Sequence, residues 1–154
     1  MSADTLDSLL EARAAAAPDQ SLYTFLDAQG ETIATLTTGA LRERARAIAG
    51  ALTAAGAQGQ PVLVCVGPGL EHPQALFGCF YAGATVVPVY PPGDNATAIE
   101  AIAAVARASG ARWLLAPEAL GAPLVDALAS HLEHAPRLVP LESGAAVPAL
   151  PGAR

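Results

Sequence analysis

The residues in this sequence that could make or break a bond fall in three places. Glu71 and His72 follow a glycine turn in the stretch GPGLEHPQ, Gly67 to Gln74. An adjacent carboxylate and imidazole can pass a proton, but the sequence puts no nucleophile or oxyanion device beside them. His131 and His134 stand three apart with Glu133 between them, a spacing that could hold a metal ion from one helical face. No third ligand is evident, and histidines near a helix C-terminus also complement its dipole, so a solvated helix end is expected. Cys65 and Cys79 lie in apolar runs far from any C-x-x-C spacing. They read as buried thiols of a reducing cytoplasm rather than as a zinc site or a disulfide.

Two nucleotide-binding patterns can be set aside. The turn at Gly67-Pro68-Gly69 lacks the third glycine of a dinucleotide fingerprint and the Gly-Lys-Ser/Thr of a phosphate loop. Pro68 also removes a backbone N–H that a phosphate would use. A tight strand-to-helix turn is the expectation. The six serines include no G-x-S-x-G elbow, which leaves a hydrolase unsupported.

The background against which these residues act is apolar and acidic. The 154 residues are 53% hydrophobic and only 14% charged, which excludes a disordered chain. The formal net charge of -6 excludes a nucleic-acid partner. All eight basic residues are arginine, with no lysine anywhere. Pro73 to Gly93 carries no charge over a length that could span a bilayer. Pro88, Pro91 and Pro92 would break such a helix, however, and VVPVY reads as strand. No charged segment leading into an apolar core opens the chain, so a secretory signal is not expected.

Periodicity supplies the elements that position these groups. Thr5 to Ala17 reads as an amphipathic helix with Leu6, Leu9 and Leu10 on one face, Asp4 or Thr5 as cap and Pro18 as stop. SLYTFLD and ETIATLT, joined at Ala28-Gln29-Gly30, predict a hairpin. Thr37 and Thr38 open a long helix with Leu41, Ala45, Ile48 and Leu52 inward, Arg42, Glu43 and Arg46 outward, and Gly56 as stop.

From Pro61 the pattern becomes strand–helix–strand. PVLVCVG is a continuous apolar run suited to a parallel strand covered on both faces. A helix near Pro73 and the strand TVVPVY follow, with Gly83 between them. Asn95 is predicted to cap a helix burying Ile99, Ile102, Ala103 and Ala106 and ending at Gly110. RWLLA is the third strand, and a helix from about Pro117 to His134 uses Leu120, Leu124, Leu128 and Leu132 before the strand RLVPL. The fold class is therefore α/β: a mostly parallel sheet with helices on both faces, preceded by an N-terminal helix, a β-hairpin and a long helix. Residues 1–142 form one unit. Residues 143–154, SGAAVPALPGAR, read as a flexible linker or tail.

The order of these stretches resembles the N-terminal part of the adenylate-forming (AMP-dependent synthetase/ligase) superfamily. LTTGALRERARAIAGAL, Leu36 to Leu52, is similar to that family's first core motif, with Ala40 where an acidic residue is usual and the capping box therefore missing. FYAGATVVPVY, Phe80 to Tyr90, is similar to the second. The version FGCFYAGATVVPVYPP and the stretch SLYTFLDAQGE most resemble fatty acyl-AMP ligases, and the likeness runs from about Leu6 to Leu141. The resemblance implies an enzyme that joins a fatty acid to ATP, with magnesium, releases pyrophosphate, and passes the acyl group to a carrier protein.

It equally implies that this chain lacks the chemistry. The family's later Ser/Thr/Gly-rich loop ending in Pro-Lys-Gly is absent, as is the lysine that contacts the acyl-adenylate. No catalytic, cofactor-binding or metal-binding role is therefore assigned to any residue here. The expected partner is the remainder of the ligase, in cis or in trans. The alternative is a stand-alone docking remnant in a polyketide or peptide assembly line, and behind it a small enzyme using Glu71 and His72.

Overall fold

A computed structural model describes residues 5–142. Four parallel strands form its sheet: β3 (Pro61–Cys65), β4 (Thr85–Val89), β5 (Trp113–Ala116) and β6 (Arg137–Pro140), in the order β4-β3-β5-β6. A parallel pair needs a crossover. Three helices supply them: α3 (Glu71–Tyr81), α4 (Ala96–Ser109) and α5 (Glu118–Ala129).

Alternation along each strand sorts the core onto two faces. Val62 and Val64 of β3, Leu115 of β5 and Val139 of β6 pack with Ala75 and Cys79 of α3 and with Ile48 and Leu52 of α2 (Thr38–Ala54). Leu63, Cys65 and Leu114 pack on the opposite face against Ile102, Ala103 and Ala106 of α4 and Leu124 and Leu128 of α5. Covered on both faces, β3 is a buried run, as PVLVC predicted.

The small-residue composition has a specific use where α2 meets α3. A Cβ placed on Gly78 would come within 2.4 Å of Ile48 Cγ2, so the two helices close over a position that admits no side chain. Pro88 also finds its reason. It sits on the edge strand β4, in unbroken register with Val64 of β3, where an edge tolerates a missing N–H without a bulge.

An N-terminal appendage precedes the sheet: α1 (Leu6–Ala16) and an antiparallel hairpin of β1 (Ser21–Leu26) and β2 (Thr32–Thr37). Asp27 Oδ1 accepts the N–H groups of Gln29 and Glu31, and Gly30 takes a positive φ of 84°, closing the turn. Thr37 caps α2, its side chain accepting from the Ala40 N–H at 3.2 Å. Ala40 cannot return a bond, so the cap is one-sided, as its sequence implied. The appendage is fastened to the body by Thr38, fully buried, whose Oγ1 donates to the Ala17 carbonyl at 2.6 Å. Glu11 of α1 accepts from Tyr81 Oη of α3 at 2.7 Å and from Arg46 of α2 through Nε and Nη2.

α1 buries Leu10 and Ala14, while Leu6 and Leu9 line a groove together with Leu10, as expected of one face, and stay exposed there. Two expectations need correction. Arg42 is half-buried rather than outward, with its Nε shielded and without a hydrogen-bond partner among the described residues. The last helix stops at Ala129 instead of reaching His134: the C-cap residue is Ser130, and Leu132 packs on the core from the following turn. Thr5, not the undescribed Asp4, provides the described cap of α1. The predicted tail, 143–154, lies outside the described residues. The uncharged segment Pro73–Gly93 divides between α3 and β4, and among the described residues no helix is long and apolar enough to cross a membrane.

Candidate functional site

The strands are parallel, so their carboxyl ends share one edge, which is where open α/β sheets place ligands. The chain runs from β3 outward to β4 and then back across to β5, so the crevice belongs between β3 and β5. The groups there come from the turns that follow each strand.

After β3, Gly67-Pro68-Gly69 makes the predicted tight turn, with Gly69 at φ 144°, a value open to glycine. It feeds α3, whose cap residue Leu70 offers no side-chain hydrogen bond. Glu71 and His72 open that helix, both exposed. Neither side chain hydrogen-bonds another described group, so the pair is brought to the sheet edge without a partner that would make it an acid–base device.

After β5, Pro117 leads into α5, another helix without its own side-chain cap. Glu142, just past β6, fills that gap: its carboxylate accepts the Glu118 N–H at 3.1 and 3.3 Å. Arg44 of α2 is the group the sequence reading missed. It is buried, and its Nη2 donates to the carbonyl of Leu141, the residue before Glu142. Burial lowers the guanidinium's pKa, against which the charges of Glu142 and Glu71 act to raise it. The signal was present in the spacing, since Leu41, Arg44, Ala45 and Ile48 fall at i, i+3, i+4 and i+7 of one stripe.

Beside the crevice a cleft of about 430 Å³ opens between Pro92 and Gly93 after β4, Ile99 of α4, and Leu120, Pro123 and Leu124 of α5. Pro123 lies inside α5 and has no N–H to give the carbonyl of Ala119, a residue that also lines this cleft. Tyr90, just before Pro91 and Pro92 in sequence, is 89% exposed.

The edge is acidic in its sequence. Glu71, Asp94, Glu118 and Glu142 follow the four strands, and the arginine among them is buried against a carbonyl. The chain contains no lysine, and Pro68 takes an N–H from the turn nearest the crevice.

The remaining candidates lie elsewhere. His131 and His134 sit in the turn after α5, at the amino end of the sheet, and do not share a helix face. The His131 N–H and carbonyl are engaged by Leu128 and Arg107, and His134 lies 4.0 Å from Glu133, both exposed. Among the described residues no three His, Cys, Asp or Glu side chains gather as metal ligands. Cys65 and Cys79 pack on opposite faces of the sheet. Burial pushes their thiols up to about 11 and about 12, away from nucleophilic character.

Comparison with known proteins places this geometry. The AMP-binding enzyme family matches residues 10–150. The crystal structure of the fatty acid AMP ligase from Legionella pneumophila superposes on 92% of this chain with a TM-score of 0.76 and 29% identity, using 24% of that protein. The medium-chain-fatty-acid–[acyl-carrier-protein] ligase JamA of Moorena producens is 36% identical over 88 residues, 57% of this chain and 15% of the relative. Disco-interacting protein 2 homolog B of Homo sapiens is 40% identical over 96 residues, 60% of this chain and 6% of that protein. This chain thus spans a minor part of each relative, and it belongs to the AMP-binding enzyme family, with the fold of the adenylate-forming ligases.

Proposed function

We propose that this chain is the N-terminal portion of a fatty acyl-AMP ligase-like enzyme and is catalytically incompetent alone. The observation that carries the reading is the likeness over 92% of the chain to a fatty acid AMP ligase, in a sequence without lysine. A positioned cation stabilises the charge that builds up in adenylate formation, and losing one such group typically costs several powers of ten in rate.

The whole enzyme would condense a fatty acid with ATP, in the presence of magnesium, to acyl-AMP and pyrophosphate, then hand the acyl group to a carrier protein in the cytoplasm. The residues of this chain would contribute support to that site. Arg44 holds the Leu141 carbonyl, and Glu142 turns back to cap α5. The partner is the remainder of the ligase, in cis or supplied in trans.

ATP–pyrophosphate exchange measured on this chain with fatty acids of several lengths should stay at background, and robust exchange would overturn the claim of incompetence. The coding sequence after Arg154 tests the other half of the proposal. A frame that continues into a Ser/Thr/Gly-rich loop ending in Pro-Lys-Gly supports a ligase portion, and a stop codon there favours a docking remnant. The second reading draws on one specific observation, the concentration of exposed apolar side chains on α1 and the hairpin.

A further inference from the structure

Arg44 is 7% exposed, and neither ion pair among the described residues includes it. A buried guanidinium without a paired carboxylate is a poor way to stabilise a core, and an apolar side chain of similar size generally serves as well or better. The rest of its stripe, Leu41, Ala45 and Ile48, is apolar and buried. What a guanidinium can do here and an apolar group cannot is donate to a carbonyl, and Arg44 Nη2 donates to that of Leu141.

Leu141 is thereby held through both of its backbone groups. Its N–H donates to the Ala116 carbonyl at 2.8 Å, just past the β5–β6 pairing, and its side chain is buried on the face of the sheet that α2 and α3 cover. The carboxylate of the next residue, Glu142, accepts the N–H of Glu118, the first residue of α5, which has no side-chain cap of its own. α2 and α5 pack on opposite faces of the sheet. The bonds from Arg44 to Leu141 and from Glu142 to Glu118 therefore run around the carboxyl edge from one face to the other.

The charges agree with that route. Glu142 and Glu71 act to raise the pKa of Arg44 against the larger effect of burial, so both carboxylates lie within its field. Glu118 and Glu142 bring two carboxylates to the start of α5, a crowding that the Arg44 charge, bonded one residue back from Glu142, offsets.

We infer that Arg44 is a positioning residue for the first turn of α5, acting through Leu141 and Glu142 from the opposite face of the sheet. That turn carries Ala119 and Leu120, which line the cleft of about 430 Å³, so a residue of α2 sets one wall of a cleft whose lining includes no α2 residue. In the ligase reading, on which the purpose of this coupling rests, the carboxyl edge would be shaped from both faces of the sheet at once.

Amide NMR spectra of the 154-residue chain test the coupling. Arg44→Met removes the donor and keeps the bulk. It should move the Glu118 amide resonance in the direction that Glu142→Ala moves it, and the double variant should move it no further, since the two groups act in series. Leu120 methyl resonances should follow. Hydrogen exchange at the Leu141 amide should quicken by about tenfold or more, while exchange at Val62, Leu63 and Val64 of β3 stays as in the parent. Arg44→Lys, which can still donate to a carbonyl, should recover part of each change. A residue that merely fills the core would give another pattern: a lower melting temperature, faster exchange throughout α2 and β3, and an unmoved Glu118 amide. That pattern, or additive shifts in the double variant, would overturn the positioning role. Should Arg44→Met not fold, Arg44→Gln gives the same readout, because its shorter side chain forfeits the Leu141 carbonyl. None of these measurements uses adenylation, so a failed coupling leaves the ligase reading standing, and a failed ligase reading leaves the coupling.

Discussion

The sheet body and the hairpin are built from similarly apolar strands with opposite results. Val62, Leu63, Val64 and Cys65 of β3 are buried, with partners on both edges and helices on both faces. In β1, Leu22, Tyr23, Phe25 and Leu26 are all at least partly exposed, and one edge of the strand is open among the described residues. The difference is coverage, not composition. Crossover helices cover the body as a consequence of its parallel topology, whereas a hairpin brings no crossover with it. Apolar content in the body therefore goes into stability, and in the hairpin much of it stays at the surface.

If that contrast holds, the largest effects of substitution lie in β3 and at the α2–α3 contact. Leu63→Ala should destabilise the chain by about 3–4 kcal/mol in denaturant unfolding, since the side chain has no exposure and both neighbouring strands hold the cavity open. Gly78→Ala should cost about 1–3 kcal/mol, because the new methyl group meets Ile48 at its branched Cβ rather than at a flexible tip. A loss below half a kcal/mol in either would mean that the body is loosely packed and the contrast false.

High pH probes the same body through its two thiols. Burial keeps Cys65 and Cys79 protonated up to about 11 and about 12, whereas in the unfolded chain they ionise near the ordinary value of about 8.5. Between those limits the native chain holds protons that the unfolded chain has released, so stability is full below about pH 8.5 and declines as pH rises toward the folded values. Cys65→Ala with Cys79→Ala should flatten this decline in a series of melts between neutral and alkaline pH, although both variants start from a lower baseline. A decline just as steep without the thiols would assign it to other groups.

How much of this was legible in the sequence follows from which forces act locally. Caps and stops were readable because they are local: Thr37 and Asn95 cap through bonds to N–H groups three residues on, and Gly110 ends α4 by its left-handed conformation. The parallel sheet was readable because PVLVCVG and WLLA are too continuously apolar for a half-solvated strand. What escaped depends on distant chain. Arg44 has a helix-stripe position whose partner, the Leu141 carbonyl, lies 97 residues away. His131 and His134 kept a helical spacing through a turn, because leucine periodicity from Leu120 to Leu132 continues past the end of α5 at Ala129. At the carboxyl edge the position of Glu71 and His72 was legible, while their lack of partners was a property of the assembled edge.

The smallest effect tests the hairpin itself. Tyr23→Lys and Leu26→Lys, each made alone, should change unfolding free energy by less than about 0.5 kcal/mol, because neither side chain rests in the core. A large loss would instead show that β1 carries part of the chain's stability, and the distinction between the covered body and the open hairpin would fail where it is most specific.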